Sequence, residues 1–262
     1  MAKVCPLFSS SKGNSICISS QGSAVLVDAG AGAKSVEDAL KFCGFSAENL
    51  RGILITHEHS DHINGLRVLL KRHKIPVYGT RGTIDFLARN GHLDWAGEVH
   101  IAEDGPFETD GLSVSAFKTS HDGLAPCGFI ADTGQAKIGI ATDLGIMTEE
   151  VHNALAGCKM VVLESNYDED MLIYGNYPQF LKMRILSKTG HLSNTDCSEE
   201  LNRLIENGTT HILLAHLSPE NNTPQAAFKR ALEKITSAGK IIGRDYLMDV
   251  ATQRPTGKII TF

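Results

Sequence analysis

The sequence predicts a layered α/β fold, and three observations support that prediction. Short apolar runs with strand character come first in the chain and then alternate with segments of helical periodicity. Glycine is frequent, at 25 of 262 residues, and aromatic residues make up only 6%, which favours many tight turns over a helical bundle. The hydrophobic fraction of 42% and the charged fraction of 21% are typical of a folded chain and argue against disorder. We expect one domain that covers residues 1–262.

Each predicted strand is a short apolar run bounded by Gly, Asp, Ser or Pro, the residues that usually end strands. These runs lie at residues 15–20, 24–27, 52–55, 76–78, 112–117, 127–131, 137–141, 160–163 and 211–214. Helical periodicity lies at residues 33–43, 64–73, 83–90, 148–155, 178–187, 195–206 and 224–237. Thr223 before Pro224 predicts the start of the last helix, because Thr caps helices and Pro suits their first turn. Residues 166–175 fit neither pattern clearly.

Charge and cysteine content exclude several classes of protein. A net charge of −5 excludes a basic field over the whole surface, although nucleic acid binding needs only a local basic track. No apolar run approaches the ~18 residues of a membrane span, and we expect neither a signal peptide nor a membrane partner. The six cysteines form no C-x-x-C pair, so we expect most of them to pack as small apolar residues in a reducing cytoplasm.

The motif H-E-H-S-D-H at residues 57–62 directly follows a predicted strand and is the strongest chemical signal in the chain. Imidazole and carboxylate groups suit Zn²⁺, Mn²⁺ or Fe²⁺. In an extended or looped backbone alternate residues point the same way, so we expect His57 and His59 to reach one point. Asp61 and His62 would then reach a second. The motif is not that of a zincin helix, because Asp61 stands where H-E-x-x-H requires its second histidine.

The pattern H-x-H-x-D-H after an apolar strand resembles the metallo-β-lactamase fold. That family has an Asp after an early strand and, beyond the motif, a His, an Asp and a final His, each at a strand end. This sequence offers them in order at Asp28, His121, Asp143 and His216, so the resemblance covers nearly the whole chain. It implies a four-layer αββα sandwich, in which two mixed β-sheets are flanked by helices and a metal site lies along one sheet edge.

The resemblance also implies which residues bind two divalent metal ions, Zn²⁺ or Mn²⁺ with Fe²⁺ possible. The ligands of the first ion would be His57, His59 and His121. The ligands of the second would be Asp61, His62 and His216, with Asp143 bridging the two ions. Asp28 would orient the ligand loop rather than bind metal. The attacking group would be a hydroxide held between the ions, and Asp61 would take part in catalysis beside its role as a ligand.

Two further motifs resemble those of nucleases in this superfamily. VVLESNYD at residues 161–168 would supply a carboxylate from Glu164. ILSKTGHLSNTD at residues 185–196 would place His191 opposite the scissile phosphate. His191 would protonate the leaving oxygen, and Glu164 would keep it charged or oriented. Together with LAHLSPENN at residues 214–222, these motifs resemble the YycJ/WalJ-type metallo-hydrolases, bacterial cytosolic proteins regarded as 5′→3′ exonucleases of double-stranded DNA.

Contacts with a nucleic acid substrate are expected from several polar residues. In the first loop, Ser10 stands where the group usually has Gly, and a positive φ there would strain it. Asn14 would contact a phosphate, hold the ligand loop in place or simply form part of a turn. A basic track that precedes His191 would meet the substrate, and so would Asn194, which follows His191. The track consists of Lys182, Arg184 and Lys188. The candidates for base stacking are Tyr167, Tyr174, Tyr177 and Phe180.

Two other functions remain open at this stage. The same scaffold could be a small-molecule metallo-hydrolase that acts on a cyclic phosphodiester, a thioester or a lactone. It could also be a catalytically silent regulator that binds a partner. Spacing excludes two relatives: residues 165–190 cannot hold the inserted domain of β-CASP nucleases, and residues 217–262 cannot hold the helical domain of glyoxalase II types. Metal identity, DNA versus RNA, polarity of digestion and oligomeric state are not predicted.

Overall fold

The computed structural model describes residues 2–109 and 111–261. Its strands form two mixed seven-stranded sheets with helices flanking them, so the predicted fold class is confirmed. The described residues divide into two compact units. The first contains residues up to 116, residues 123–136 and residues from 252 onward, and the second contains residues 117–122 and 137–251. The expectation of one domain stays a prediction. Among the described helices, none combines the length and the hydrophobicity that a membrane span requires.

The first unit contains one complete sheet, four helices among its described residues, and the beginning of the other sheet. Its strands are β1 (Lys3–Ser10), β2 (Gly13–Ser20), β3 (Ser23–Val27), β4 (Leu50–Ile55), β5 (Val77–Gly79), β6 (Val99–Ile101), β7 (Phe107–Thr109), most of β8 (Leu112–Lys118), β9 (Cys127–Asp132) and β14 (Ile260–Thr261). Its helices are α1 (Ala33–Phe42), α2 (Ser60–Ile63), α3 (Leu66–His73) and α4 (Arg81–Arg89), and 3₁₀ turns lie at Ala47–Asn49 and Ala102–Asp104. The complete sheet has the order β14-β1-β2-β3-β4-β5-β6.

The pairing within that sheet changes direction at β3. Strands β14, β1, β2 and β3 pair antiparallel, whereas β3, β4, β5 and β6 pair parallel. The apolar faces of α1 and α3, through residues such as Val36, Leu40, Leu66 and Leu70, bury against this sheet in one hydrophobic core. The carboxyl ends of parallel strands share one edge, and that is where ligand sites form in open α/β sheets.

The second unit contains four parallel strands in the order β10-β11-β12-β13. They are β10 (Lys137–Ala141), β11 (Met160–Glu164), β12 (His211–Ala215) and β13 (Leu247–Val250). Its helices are α5 (Glu149–Leu155), α6 (Glu169–Tyr174), α7 (Gln179–Ile185), α8 (Asn194–Glu206) and α9 (Pro224–Ser237). Helices α5, α8 and α9 begin at capping hydroxyls; the cap at Thr223 before Pro224 is as the sequence predicts, whereas α8 is capped by Ser193 and not by Thr195.

Elements that the sequence analysis missed have physical reasons. β1 contains Pro6, which argues against a strand, but Pro6 lies next to an irregularity, because the β1–β2 register shifts between Pro6 and Phe8. α6 lies in the unassigned stretch 166–175, where Asp168 caps a helix of less than two turns. Strands β6, β7, β13 and β14 are at most four residues long, too short for a clear period.

The cysteines follow the expectation in part. The buried thiols Cys17, Cys127, Cys158 and Cys197 pack as small apolar residues. A disulfide instead joins the other two cysteines, Cys5 on β1 and Cys43 at the end of α1. We did not expect this pair, because a reducing compartment disfavours disulfides and sequence alone does not reveal which cysteines meet.

Candidate functional site

A first cluster gathers the histidines and the aspartate of residues 57–62 in the first unit, where the chain leaves β4. The Nε2 atom of His57 lies 3.0 Å from Nδ1 of His59. The ring centroids of His57 and His62 are 4.1 Å apart. Because α2 begins directly after His59, Asp61 and His62 belong to a helical turn. The side chains of Asp61 and His62 therefore do not alternate in direction as we expected for an extended loop.

Asp28, at the exit of β3, fixes the orientation of His62. Its Oδ2 atom accepts a hydrogen bond from Nδ1 of His62 at 2.7 Å, and its Oδ1 atom accepts one from the backbone N–H of Thr56 at 2.9 Å. The hydroxyl of Thr56 donates to Oδ2 at 2.8 Å. Burial raises the pKa of Asp28, although the single imidazole of His62 and the bonds from Thr56 act to lower it. Since Nδ1 of His62 donates its proton here, Nε2 is the ring nitrogen with a lone pair to offer.

Asn14, the second residue of β2, holds the same loop in place through its side chain. Its Nδ2 atom lies 3.0 Å from the backbone carbonyl of Ser10, 3.2 Å from Oδ2 of Asp61 and 3.1 Å from Nε2 of His62, so its two hydrogens are shared among three acceptors. Its Oδ1 atom accepts from the backbone N–H of Ser10. Ser10 pairs with Gly13 in the strand ladder and does not adopt a positive φ, so Ser in place of Gly causes no backbone strain.

A second cluster forms in the second unit, where parallel strands end. Asp143 follows β10, Glu164 ends β11, His216 follows β12, and His191 follows α7. One ligand atom from each of these four residues lies within 4.8 Å of those of the other three. His121 joins them, because its Nε2 atom is 3.7 Å from Oδ1 of Asp143. The cluster therefore consists of five predicted site residues that sequence separates by up to 95 positions, from 121 to 216.

Glu164 is the centre of this second cluster. Its wholly buried carboxylate accepts hydrogen bonds through Oε1 from Nδ1 of His191 at 2.8 Å and from Nδ1 of His216 at 2.7 Å. Through Oε2 it accepts from the backbone N–H groups of Leu144 and Leu192, at 2.6 and 3.2 Å. Burial alone would raise the pKa of Glu164, but the charges of the two histidines and the bonds from them lower it below its ordinary value. The sequence analysis had paired Glu164 with His191 only.

Three of the predicted ligand histidines share one hydrogen-bond pattern. Nδ1 of His62 donates to Asp28, Nδ1 of His216 donates to Glu164, and Nδ1 of His121 donates to the backbone carbonyl of Gly190 at 2.9 Å. Burial lowers the pKa of His121, which favours the neutral ring. A neutral imidazole held in this way has its lone pair on Nε2, the arrangement that metal-binding histidines usually have, and at His62 that atom also contacts the amide of Asn14. The donor sets of both clusters therefore fit a borderline divalent metal ion.

Comparison with known proteins places the chain in a family. Residues 23–216 match the beta-lactamase superfamily domain. The chain belongs to the beta-lactamase superfamily. It is 34% identical over 255 residues to the exodeoxyribonuclease YycJ of Bacillus anthracis, an alignment that covers 95% of this chain and 96% of that protein. It is 33% identical over 243 residues to the exodeoxyribonuclease WalJ of Streptococcus pneumoniae serotype 2 (strain D39 / NCTC 7466), with 92% of this chain and 90% of that one covered.

A solved structure agrees with this assignment at the level of the fold. The metallo-beta-lactamase fold protein YhfI from Bacillus subtilis superposes with a TM-score of 0.75 over 99% of this chain and 98% of its own, at 16% identity. The predicted resemblance to YycJ/WalJ-type proteins of the metallo-β-lactamase fold is thus confirmed, and the chain is a hydrolase. Proteins of this fold typically bind divalent metals, and the second cluster of this superfamily member is a group that could hold one.

The basic side chains expected to meet the substrate have different surroundings in this superfamily member. The ammonium of Lys182 donates to two backbone carbonyls at the end of α6, both at 2.7 Å. Arg184 forms two hydrogen bonds with the carboxylate of Asp122, at 2.6 and 3.1 Å. Lys188 is exposed, in the turn that leads to His191. A phosphate that bound Lys182 or Arg184 would compete with these internal partners, whereas Lys188 meets solvent directly.

Asn194 belongs to a buried network of amides that the sequence analysis did not foresee. Its side chain accepts from the hydroxyl of Ser165 at 2.6 Å and exchanges hydrogen bonds with Asn222 at 2.8 and 3.0 Å. Asn222 also donates to the backbone carbonyl of Asn166, and Asn166 donates to that of His216 at 2.8 Å. A substrate contact by Asn194 would have to replace one of these bonds. The network instead supports the turn that carries His216.

Two glycines beside the clusters were also missed. A Cβ atom at Gly30 would lie 1.6 Å from the carbonyl oxygen of Asp61, and one at Gly145 would lie 2.2 Å from that of Lys188. Both positions therefore require Gly, because another segment of backbone passes where a side chain would begin. The available signal is that each of these glycines comes two positions after an Asp at a strand end.

Proposed function

We propose that the chain is a metal-dependent phosphodiesterase that acts on nucleic acid, and specifically a 5′→3′ exonuclease of double-stranded DNA in the cytoplasm. The two exodeoxyribonuclease relatives support this proposal, because they align with more than nine-tenths of the chain. The sequence motifs that contain Glu164 and His191 support it too, because both motifs resemble those of nucleases in the superfamily. The polarity and the preference for duplex DNA come from the resemblance alone.

The proposed cofactor is a pair of divalent ions, Zn²⁺ or Mn²⁺ with Fe²⁺ as an alternative. The sequence assigns His57, His59 and His121 to one ion. It assigns Asp61, His62 and His216 to the other, with Asp143 shared. The orientation of three of these histidines, with Nδ1 engaged and Nε2 presented, fits that assignment. When bound, such ions activate water and neutralise charge on the phosphate.

One observation carries the proposal of phosphodiester chemistry: a single buried carboxylate, Glu164, binds two imidazoles with different exposure. The side chain of His216 is 1% exposed, as expected for a ligand, whereas that of His191 is 17% exposed and can meet a substrate. Because Nδ1 of His191 donates to Glu164, its proton-donating atom toward a substrate is Nε2. The carboxylate orients the ring, so that Nε2 of His191 can give a proton to the leaving oxygen.

A substrate panel tests this function. Protein purified without chelator is incubated with duplex DNA labelled at either end, single-stranded RNA, a cyclic dinucleotide, a thioester and a lactone. We expect mononucleotide release from the duplex, with the 5′ label released first and the 3′ label retained on a shortening strand. His191→Ala should lower kcat by about 10²- to 10⁴-fold, because it removes the general acid.

The matched control is His100→Ala, which removes a half-exposed histidine of β6 in the first unit. We expect it to leave turnover unchanged. Turnover of the thioester or lactone alone would contradict the proposal and favour a small-molecule hydrolase. A metal-loaded protein that turns over no member of the panel would instead favour a silent, partner-binding regulator.

A further inference from the structure

Helices α6 and α7 carry apolar side chains on two sides, and only one side is explained by packing. Toward the protein, Leu172 and Ile185 form a small core with Tyr167, and Tyr177 and Leu181 pack against it. On the outside, two aromatic rings are exposed to an extent that packing does not account for, with Tyr174 at 83% and Phe180 at 76%. Three roughly half-exposed apolar side chains accompany them. We call the exposed group the apolar platform: Ile173, Tyr174, Phe180, Met183 and Leu186.

Such a concentration differs from the scattered apolar residues of an ordinary surface. Five large apolar side chains are exposed within residues 173–186. Single exposed apolar residues are normal, but a contiguous group marks a surface that contacts something else. The ammonium of Lys182 binds the carbonyls of Ile173 and Gly175, so the end of α6 is tied to α7 and the platform is held in place before any partner arrives.

The charge around the platform selects the kind of partner. Residues 171–195 include three cations, Lys182, Arg184 and Lys188, and no Asp or Glu, while the acidic residues Glu169 and Asp170 lie at the opposite, first turn of α6. Arg184 is paired with Asp122 and Lys182 with two carbonyls, so the exposed Lys188 is the cation that a partner on this face would meet first. A polyanion is complementary to it. Aromatic rings interleaved with basic groups are the combination that binds nucleic acid strands whose bases are unpaired.

The backbone connects this platform to the proposed proton donor. The N–H of His191 donates to the carbonyl of Ile185, the last residue of α7, at 3.0 Å. A Cβ atom at Gly190 would lie 2.2 Å from that same carbonyl oxygen, so only Gly permits this tight return. On its other side the turn packs against Gly145, where a Cβ would meet the carbonyl of Lys188. The platform is therefore one fixed turn away from His191 and from the exit of β10.

We propose that the apolar platform binds the unpaired bases at the end of a nucleic acid strand and so presents that end to His191. Tyr174 and Phe180 stack on the bases, the neighbouring aliphatic side chains pack beside them, and Lys188 meets the phosphates. This inference rests on the proposed function for its substrate class. Removing a stacking ring from such a site weakens binding by about 5- to 150-fold per base.

The experiment measures affinity with oligonucleotides that the protein cannot digest, because their terminal linkages are phosphorothioates. One duplex has unpaired bases at both ends, and the other is closed at both ends by hairpin loops sealed with a non-nucleotide linker. Tyr174→Ser and Phe180→Ser are combined, and Phe42→Ser is the matched control, since Phe42 is also exposed but lies in the first unit. We expect the double variant to bind the open-ended duplex at least 10-fold more weakly, with less than a 2-fold change for the closed duplex and none for the control.

Equal affinity of the wild type for the two duplexes, or an unchanged affinity in the double variant, would overturn the inference. A dimer in light scattering that the double variant converts to a monomer, with DNA affinity unchanged, would assign the platform to self-association instead. The proposed function fails separately: it fails when His191→Ala digests DNA as the wild type does. If digestion depends on His191 but affinity for the open-ended duplex does not depend on Tyr174 and Phe180, only the inference about the apolar platform is contradicted.

Discussion

The two clusters of histidine and acidic side chains are each organised by one buried carboxylate, and those carboxylates differ in how many imidazoles they bind. Asp28 binds only His62, and burial raises its pKa. Glu164 binds both His191 and His216, and the two histidines lower its pKa in spite of complete burial. Burial acts to raise the pKa of both carboxylates, and the charges and hydrogen bonds of two imidazoles outweigh it at Glu164, whereas those of one imidazole do not at Asp28.

The largest expected effect comes from removing the carboxylate that serves two rings. Glu164→Ala leaves two imidazole and two backbone N–H groups without their buried acceptor. We expect the free energy of unfolding to fall by about 3–5 kcal/mol, measured by urea denaturation. Glu150→Ala, an exposed residue of α5, should change it by less than about 0.5 kcal/mol. Equal stability of Glu164→Ala and wild type would break the comparison at its centre.

A smaller effect is expected at the carboxylate that serves one ring. Asp28→Asn keeps the shape of the side chain but replaces a charged acceptor of the His62 Nδ1–H by an amide. If the proposed metal centre exists, the loss of this orienting bond should lower metal affinity by about 10- to 100-fold, measured by competition with a chelator. His73→Gln, which alters an imidazole bound to Glu37 on α1, is the control and should leave metal affinity unchanged. Unchanged metal affinity in Asp28→Asn would contradict the orienting role.

The opposite pKa shifts predict opposite dependences of stability on pH in the chelator-treated protein. Glu164, with a lowered pKa, stabilises the fold above its ordinary value of 4.5, and this stabilisation is lost as pH falls through the lowered pKa. Asp28, with a raised pKa, contributes stability below its ordinary value of 3.8 that is lost as pH rises through the raised pKa. The stability gap between wild type and Glu164→Gln should therefore widen with pH, whereas that between wild type and Asp28→Asn should narrow. Parallel gaps in thermal denaturation series would refute the contrast.

The smallest effect concerns the basic turn that lies beside the second cluster. Lys188 is exposed, whereas the ammonium of Lys182 already binds two carbonyls. We expect Lys188→Ala to reduce the slope of log affinity against log salt for DNA by about 0.7–0.9, the contribution of one phosphate contact. Lys182→Ala should change that slope less and should lower the melting temperature instead. A slope that only Lys182→Ala reduces would reverse the assignment of the phosphate contact.

The two clusters differ in how much of each could be predicted from the sequence, because their residues are distributed differently along the chain. The first cluster is local: six consecutive positions hold its four predicted ligands, so spacing alone identifies it. Even there the predicted backbone conformation was wrong for part of the motif. Helix α2 begins within it, so Asp61 and His62 do not follow the expected alternation. The second cluster is collected by the ends of neighbouring parallel strands, and Asp143 and His216 were predicted only because the family resemblance implies an Asp and a His at such strand ends.

What remained hidden depends on contacts between distant segments. The bond from His216 to Glu164 arises because β11 and β12 are neighbours, with Glu164 opposite Ala215, and no spacing in the chain reports that register. The amide network of Asn166 and Asn222 is equally invisible, since isolated asparagines usually indicate turns. The fold class, by contrast, follows from the alternation of strands and helices and from the family resemblance, both of which span nearly the whole chain.

The strand exits themselves have a consequence for engineering. Asp28, Asp143 and His216 all have left-handed backbone, with φ of 60°, 60° and 55°. L-residues pay about 1–2 kcal/mol for that conformation, and only Gly adopts it freely. Gly at these three exits would relieve that backbone conformation, but at Asp28 and His216 it would also break buried hydrogen bonds to His62 and Glu164. A thermostabilising library of this chain is therefore better directed away from these three positions, where the relaxed backbone and the lost contacts oppose each other.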